Sequence, residues 1–95
     1  MAAYIYGDIN VTDPDGYEAY RAQAPALIAA HGGRYLVRGG AVEVLEGSPD
    51  PKRQVILEFP DMAHLKAFYF SPEYEALKAI RRRCSMGDFV AIEGV

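Results

Sequence analysis

The chain has a single cysteine, no tryptophan and no long apolar stretch. Because Cys84 has no second cysteine to pair with, an intrachain disulfide is excluded and a reducing compartment is expected. The opening residues, Met-Ala-Ala-Tyr-Ile-Tyr-Gly-Asp, lack the basic region and apolar run of a signal peptide. No stretch of the sequence is apolar enough to span a bilayer. These absences together predict a soluble, cytoplasmic protein.

An excess of positive charge is also missing. The 95 residues carry a formal net charge of −3, which makes nucleic acid and anionic membranes poor partners. The one strongly basic run, Arg81-Arg82-Arg83, falls where a helix is predicted to end. Its charge there complements the helix dipole, and an anion-binding site is the alternative. A chain of this length forms one domain, residues 1–95, and gains stability by association.

Motifs for metals and nucleotide cofactors are missing as well. His31 and His64, taken with Asp8 or Glu58, do not have the spacing of metal ligands. Gly39-Gly40 lacks the glycine spacing and the following helix of a phosphate loop, and no dinucleotide-binding fingerprint occurs. We therefore expect no metal, nucleotide or flavin, and any catalysis would be cofactor-independent.

What the sequence does contain is a regular succession of strand and helix patterns. Residues 4–11 alternate in polarity, which is typical of a strand. Thr12 or Asp13 can cap the following helix, Pro14 suits its first turn, and Gly32-Gly33 ends it. Later patterns predict a strand over 53–59, a short helix capped by Asp61, a helix beginning after Ser71 and a last strand over 88–93.

The region between residues 34 and 46 is more ambiguous. Residues 34–38 and 41–46 both have strand patterns, and Gly39-Gly40 lies between them. Because no polar turn residues separate the two patterns, we expect one long strand with a bulge or kink at the glycines.

The order β-α-β-β-α-β predicts an α+β, ferredoxin-like domain, with a four-stranded antiparallel sheet and two helices on one face. Two helices leave the other face of the sheet uncovered, yet that face carries Tyr4, Tyr6 and apolar residues of the later strands. An apolar surface of this size on a small domain usually marks an association site. We expect a homodimer packed sheet to sheet about a two-fold axis.

Several runs of residues resemble a known family. They are His31-Gly32-Gly33-Arg34-Tyr35-Leu36-Val37-Arg38-Gly39-Gly40, Leu45-Glu46-Gly47, Ile56-Leu57-Glu58-Phe59-Pro60, Tyr69-Phe70-Ser71-Pro72-Glu73-Tyr74, Arg81 and Glu93-Gly94-Val95. Their order resembles domain of unknown function 1330 over essentially the whole chain. The resemblance implies a dimeric α+β barrel, in which two ferredoxin-like sheets pack into one barrel. It implies no activity, and no catalytic motif of the superfamily's oxygenases, haem-degrading enzymes or muconolactone isomerases occurs here.

Two residues have side chains suited to acid-base catalysis. His31 lies on the inward stripe of the first helix, directly before the glycines that end it. Its imidazole can act as an acid or base near neutral pH, or can simply bond a free carbonyl at the helix end. Glu58 is the second candidate, because a carboxylate held in an apolar strand can have a raised pKa and serve as a base.

Asp8, Arg38 and Glu58 are charged residues inside otherwise apolar strands. Because unpaired buried charges are costly, Arg38 is expected to bond one or both carboxylates. The first and third strands are neighbours in this fold, so Asp8 and Glu58 are expected to lie close together. The three residues form either a polar pocket for a small ligand or an ion-pair network that fixes register or dimer docking.

A further set of polar residues surrounds the break in the second helical region. Ser71, directly before Pro72, is best explained as a helix cap; a nucleophile is the alternative, but no nucleophile elbow surrounds it. Tyr74 and Arg81 share one helix face, two turns apart. Together with Tyr69 they either hold a carboxylate or seal the helix against the sheet edge.

Two classes of function fit these residues. One is a cofactor-independent enzyme, or a binder, that acts on a small organic molecule held between helices and sheet. The other is a non-catalytic homodimeric module for ligand binding or assembly. A pocket lined by the polar candidates favours the first, and a fully packed interior favours the second.

Overall fold

The computed structural model describes all of residues 1–95. Its elements are β1 (Ala3–Val11), α1 (Pro14–Ala30), β2 (Arg34–Arg38), β3 (Arg53–Phe59), α2 (Met62–Tyr69), α3 (Pro72–Cys84) and β4 (Ser85–Glu93). The sheet has the order β2-β3-β1-β4, and each neighbouring pair is antiparallel. The predicted ferredoxin-like βαββαβ fold is confirmed, with α2 and α3 together forming the second helical region.

The central strand β1 shows why one face of the sheet is buried. Ala3, Ile5, Gly7 and Ile9 point to the helices and are buried, whereas the residues that alternate with them are half-buried. Side chains alternate along a strand, so this two-residue period sends every apolar residue to one side. The main core cluster gathers on that side. It contains Tyr17, Tyr20, Ile28, Leu57, Phe59, Leu65, Phe68, Tyr74, Leu77 and Cys84, among others.

Three predicted side chains cap the helices. Asp13 accepts a hydrogen bond from the backbone N–H of Gly16 at 3.3 Å, and Asp61 accepts one from His64 at 2.8 Å. The Ser71 hydroxyl accepts from the Tyr74 N–H at 3.2 Å and donates to the Phe68 carbonyl at 2.8 Å. Each cap satisfies an N–H that the first turn of a helix leaves free.

The long strand expected across Gly39-Gly40 is wrong. β2 ends at Arg38, and residues 40–52 form neither helix nor strand. Arg38 already lies opposite Val55, near the beginning of β3, so a β2 strand that continued to residue 46 would run past the end of its only neighbour. Gly39 adopts φ 70°, a conformation that favours glycine, and it turns the chain away from the sheet.

The bulge lies within β2 instead of at the glycines. Tyr35 is opposite Leu57 and Val37 is opposite Ile56, so Leu36 is an extra residue in the ladder. Because side chains alternate along a strand, this insertion returns Arg38, opposite Val55, to the helix side of the sheet.

None of the helices is long and apolar enough to cross a membrane.

Close packing of β4 on β1 depends on a glycine. Gly7 lies opposite Phe89, whose ring covers the place where a side chain at residue 7 would lie. A Cβ atom at Gly7 would be 2.6 Å from the ring of Phe89, well inside van der Waals contact. The Phe89 ring in turn lies under the guanidinium of Arg81, whose Cζ is 4.0 Å from the ring centroid.

We therefore expect Gly7→Ala to lower the free energy of unfolding by about 1–3 kcal/mol, the usual cost of overpacking. Gly40→Ala is the matched control, because no atom lies within 4 Å of the added methyl group. Urea denaturation of both variants checks this. Equal stabilities for the two variants would contradict the proposed packing of Phe89 on Gly7.

Candidate functional site

A cleft between the helices and the sheet collects tyrosine and arginine side chains. Its lining includes no aspartate or glutamate. The apolar part of the lining comes from β1, β3, α1 and Phe89. The polar part consists of Tyr17, Tyr20, Tyr35, Tyr69 and Tyr74 with Arg21, Arg38 and Arg53. The free volume in the cleft is about 20 Å³, which is room for roughly one water molecule.

A chain of hydrogen bonds crosses the helix layer beside this cleft. The hydroxyls of Tyr20 on α1 and Tyr74 on α3 are 2.7 Å apart. The Nη1 of Arg81 donates to the Tyr74 hydroxyl at 3.1 Å. Arg81 is only 3% exposed and forms no ion pair with a carboxylate. Its guanidinium contacts phenol groups and the ring of Phe89 instead. This network joins α1 to α3 and holds a positive charge at the edge of the cleft.

Arg53 brings a second guanidinium into the cleft. Its Nε is buried and has no hydrogen-bond partner. Its Cζ lies 5.7 Å from the centroid of the Tyr17 ring, and the missing side chain of Gly39 leaves room for the guanidinium. Buried donors in folded proteins are almost always paired, so an unpaired one is unusual. This N–H is therefore free to bond an anion.

Arg38 also faces the cleft, and its predicted pairing with Glu58 or Asp8 is wrong. Its Nη2 donates to the backbone carbonyl of Arg21 at 2.9 Å, and its Cζ lies 4.7 Å from the centroid of the Tyr35 ring. The bulge in β2 is the physical reason. It places Arg38 on the helix side, whereas the two carboxylates belong to the opposite face.

Asp8 and Glu58 do not lie together either. Strands β1 and β3 are neighbours as expected, but the register places Asp8 opposite Gln54 and Glu58 opposite Tyr4. Asp8 accepts hydrogen bonds from the Lys52 N–H at 2.9 Å and from Gln54 Nε2 at 2.7 Å. The expected proximity is therefore wrong, because the two carboxylates sit four residues apart along the antiparallel pair.

Glu58 has an ion-pair partner of its own. The Nε of Arg34 donates to it at 2.7 Å, and this hydrogen bond lowers the pKa of the Glu58 carboxyl. A carboxylate stabilised in its charged form is a weak base. Its position on the uncovered face of the sheet also keeps it out of the cleft.

His31 ends α1 and does not line the cleft. Its ring packs against Phe68 with centroids 6.0 Å apart in an edge-to-face arrangement. The structure therefore does not bring His31 and Glu58 into one site. His64 hydrogen-bonds Asp61 at 2.7 Å, and no group of three or more His, Cys, Asp and Glu side chains is arranged to hold a metal ion.

Of the other predicted ligand-binding residues, Tyr69 and Tyr74 line the cleft and Arg81 contacts it through Tyr74. Ser71 acts as a helix cap. The sequence did not mark five of the polar lining residues as site residues: Tyr35, Arg21, Arg53 and the two tyrosines of α1, Tyr17 and Tyr20. The two tyrosines were recognised only as part of the buried stripe of α1, and nothing in the sequence marks the first residue of β3 as a partly buried arginine.

Residues 2–95 match the model of the family described as domain of unknown function (DUF1330). The chain belongs to this family. The match confirms the resemblance seen in the sequence, and the family description assigns no activity. No curated protein is recognisably similar to the chain.

Solved structures share the fold at low sequence identity. A protein of unknown function from Rhodopseudomonas palustris, RPA0582, has a TM-score of 0.75 at 16% identity, with 99% of this chain and 82% of that chain covered. SnoaB, a cofactor-independent oxygenase from Streptomyces nogalater, has a TM-score of 0.64 at 14% identity, with 99% and 93% covered. An antibiotic biosynthesis monooxygenase has a TM-score of 0.53 at 16% identity, with 100% and 99% covered. At these identities the likeness concerns the fold.

Three tyrosines that line the cleft, Tyr20, Tyr35 and Tyr74, are held in their protonated form. Burial raises the pKa of Tyr20 and of Tyr74, and burial raises the pKa of Tyr35 to about 12. One hydroxyl hydrogen of the Tyr20–Tyr74 pair is used in the bond between them. Since a neutral phenol is a hydrogen-bond donor, the Tyr35 hydroxyl and the guanidinium groups present donors, as an anion requires. No histidine or carboxylate in the lining competes with them.

The raised pKa values predict a loss of stability in alkali. Above pH 10 the unfolded chain releases phenolic protons that the folded chain keeps. The stabilisation from these groups is therefore complete below pH 10, and the free energy of unfolding falls as the pH rises through about 12. Denaturant midpoints measured across this range, together with the absorbance of phenolate, test this. Tyr35→Phe should weaken the dependence. A midpoint that stays constant through this range would contradict the burial of these phenols.

Proposed function

We propose that this chain binds a small aromatic acid, as its anion, between the helices and the sheet. The observation that carries this proposal is the concentration of guanidinium groups in the cleft without any carboxylate in its lining. The whole chain has a net charge of −3, so the positive cleft is a local feature and not a consequence of overall composition. Arg21 is paired with Glu18 at 3.0 Å, so the charge without a carboxylate partner belongs to Arg38 and Arg53. Such charge in a concave site raises the local concentration of ligands of the opposite sign.

The buried Nε of Arg53 supports the same proposal. A guanidinium presents several N–H donors in one plane and therefore suits the two oxygens of a carboxylate. Leaving a buried donor without a partner is unfavourable, and an anion would supply that partner. Arg38 adds a second guanidinium whose present partner is a backbone carbonyl, which an incoming carboxylate can replace.

The aromatic nature of the ligand is inferred from the walls. The rings of Tyr17, Tyr35 and Tyr69 border the cleft, and aromatic walls stack well on a flat ring. A compact acid such as acetate would leave these faces unused.

A catalytic role would rest on the same donors. The lining contains no histidine or carboxylate to remove a proton, so the cleft suits a substrate that already carries negative charge. Guanidinium and phenol donors fixed in place stabilise negative charge that develops during a reaction. A fold shared with a cofactor-independent oxygenase is compatible with such chemistry and does not establish it.

The small free volume favours the alternative, a non-catalytic module. Space for one water molecule is too little for an aromatic ring, so binding requires side chains to move. If none moves, the tyrosine and arginine network serves only to join the helices to the sheet.

Ligand binding is tested by thermal unfolding and calorimetric titration with phenylacetate, using phenylacetamide as the uncharged control. We expect phenylacetate to stabilise the wild-type protein and Arg53→Gln to weaken its binding at least about tenfold, the usual worth of a hydrogen bond to a charged group. Arg83→Gln removes the same charge from an exposed position outside the cleft and should bind as wild type does. Equal stabilisation by the amide, or full binding by Arg53→Gln, would overturn the proposal.

We also propose that a second copy of the chain covers the face of the sheet opposite the helices, here called the open face. Tyr4, Tyr6 and Ile56 lie side by side on it, and Val90 and Ile92 lie beside them on β4. Val90 and Ile92 are each about half exposed in the single chain. A contiguous apolar surface on a small domain is usually covered by a partner, and a two-fold axis lets the same surface serve both copies.

Ile92→Lys tests this arrangement, because Ile92 is 51% exposed and its replacement leaves the core of a single chain intact. Sedimentation at micromolar concentration should give a dimer for the wild-type protein and a monomer for the variant. Leu45→Lys is the matched control, since Leu45 is 93% exposed in the segment between β2 and β3 and should remain dimeric. A monomeric wild type, or a dimeric Ile92→Lys, would contradict the open face as the interface.

A further inference from the structure

A proline lies inside α1, where it changes the hydrogen bonding of the helix. In an α-helix the carbonyl of each residue accepts a hydrogen bond from the N–H four residues further along the chain. Pro25 has no N–H and so cannot bond the carbonyl of Arg21, although α1 continues to Ala30. The Arg21 carbonyl therefore lacks its regular partner within the helix.

Arg38 supplies a donor to this carbonyl from the sheet. Its Nη2 donates to the Arg21 carbonyl oxygen at 2.9 Å, and this bond joins the edge strand β2 to α1. The carbonyl that Pro25 leaves free is thus the one that Arg38 bonds. Because backbone carbonyls in a folded protein are nearly always paired, the side-chain bond replaces the one that the proline removes.

This hydrogen bond crosses the mouth of the cleft. Among the residues that line the cleft, only Arg21 and Arg38 are exposed, and the others are buried or half-buried. The end of the cleft that faces solvent therefore lies between these two residues, and the Arg38 side chain spans it. The same guanidinium lies over the ring of Tyr35, so it also covers one of the aromatic walls.

Arg38 is the lining side chain best able to move. It is long and exposed and is held by one hydrogen bond and the contact with Tyr35, whereas Tyr20 and Tyr74 are buried in the core. A carboxylate offers a guanidinium a charge-assisted partner, which is stronger than a neutral carbonyl. Once Arg38 turns to a carboxylate, the face of the Tyr35 ring is uncovered for an aromatic group.

We propose that Arg38 is a latch on the cleft, that Pro25 sets this latch by leaving the Arg21 carbonyl free, and that an anion releases it. Without an anion the carbonyl holds Arg38, and the cleft stays closed. A carboxylate has to displace the carbonyl, so the closed state lowers its apparent affinity. This inference rests on the proposed binding of an aromatic acid and adds which side chain moves to admit the acid and what holds it beforehand.

A double-mutant cycle in the ligand-free protein tests the role of Pro25. Arg38→Met removes the donor and should lower the urea midpoint of the wild-type protein, because the Arg21 carbonyl loses its partner. In Pro25→Ala the new backbone N–H can bond this carbonyl, so Arg38→Met should lower the midpoint there by no more than about half as much.

Pro14→Ala is the matched control for this cycle. A proline in the first turn of a helix replaces no N–H that the helix would use, so Arg38→Met should have its full effect in the Pro14→Ala background. Equal effects of Arg38→Met in the two alanine backgrounds would overturn the latch.

Calorimetric titration with phenylacetate tests the release by an anion. Pro25→Ala should bind phenylacetate about two- to tenfold more tightly than wild type, which is the usual worth of one hydrogen bond, and Pro14→Ala should bind it as wild type does. Adding Pro25→Ala to Arg38→Met should bring no gain in affinity. If wild type binds phenylacetate and Pro25→Ala binds it no more tightly, the latch is excluded while the proposed function stands.

A further measurement needs no variant. On titration of the wild-type protein with phenylacetate, the carbonyl ¹³C resonance of Arg21 should move upfield and saturate as Arg38 leaves the carbonyl. An Arg21 resonance that stays in place at saturating ligand would overturn the latch and leave the binding of an aromatic acid intact. If phenylacetate binds to neither wild type nor Pro25→Ala, the proposed function fails and this inference fails with it.

Discussion

The guanidinium of Arg81 is buried between α3 and the sheet with no carboxylate beside it, and much of the structure is arranged around this charge. Buried charges are stable only when hydrogen bonds and polarisable neighbours replace water. Here Phe89 lies under the guanidinium and Tyr74 accepts its hydrogen bond, and Tyr74 in turn bonds Tyr20 of α1. Gly7 makes room for the Phe89 ring. These contacts link α1 and α3 to β1 and β4 through one buried charge.

This arrangement gives the two faces of the sheet different properties. The helix side contains protonated phenols and the guanidinium groups of Arg38 and Arg53, which have no carboxylate partner and suit an anion. The open face contains apolar side chains beside the Arg34–Glu58 ion pair, which suits a second protein surface. The proposed ligand binding and the proposed association therefore use opposite faces, and a substitution on one face is expected to leave the other property in place.

The sequence predicted the elements well because their signals are local. The caps at Asp13, Asp61 and Ser71 and the alternation in β1 depend only on neighbouring residues. The site was predicted poorly because its members are brought together by register. The single extra residue Leu36 sends Arg38 to the helix side, and no local pattern reveals such an insertion. Likewise, the pairing of β1 with β3 separates carboxylates that the strand order alone would place together.

If the arginines of the cleft receive an anion as proposed, the Nε–H of Arg53 is the group that responds most directly. Its resonance in the ¹H–¹⁵N spectrum of arginine side chains comes from a buried donor without an acceptor. On titration with phenylacetate we expect this resonance to shift downfield and saturate, while that of the exposed Arg83 stays in place. An Arg53 resonance that does not move, or one that moves equally with chloride at the same ionic strength, would contradict the binding of a carboxylate by these arginines.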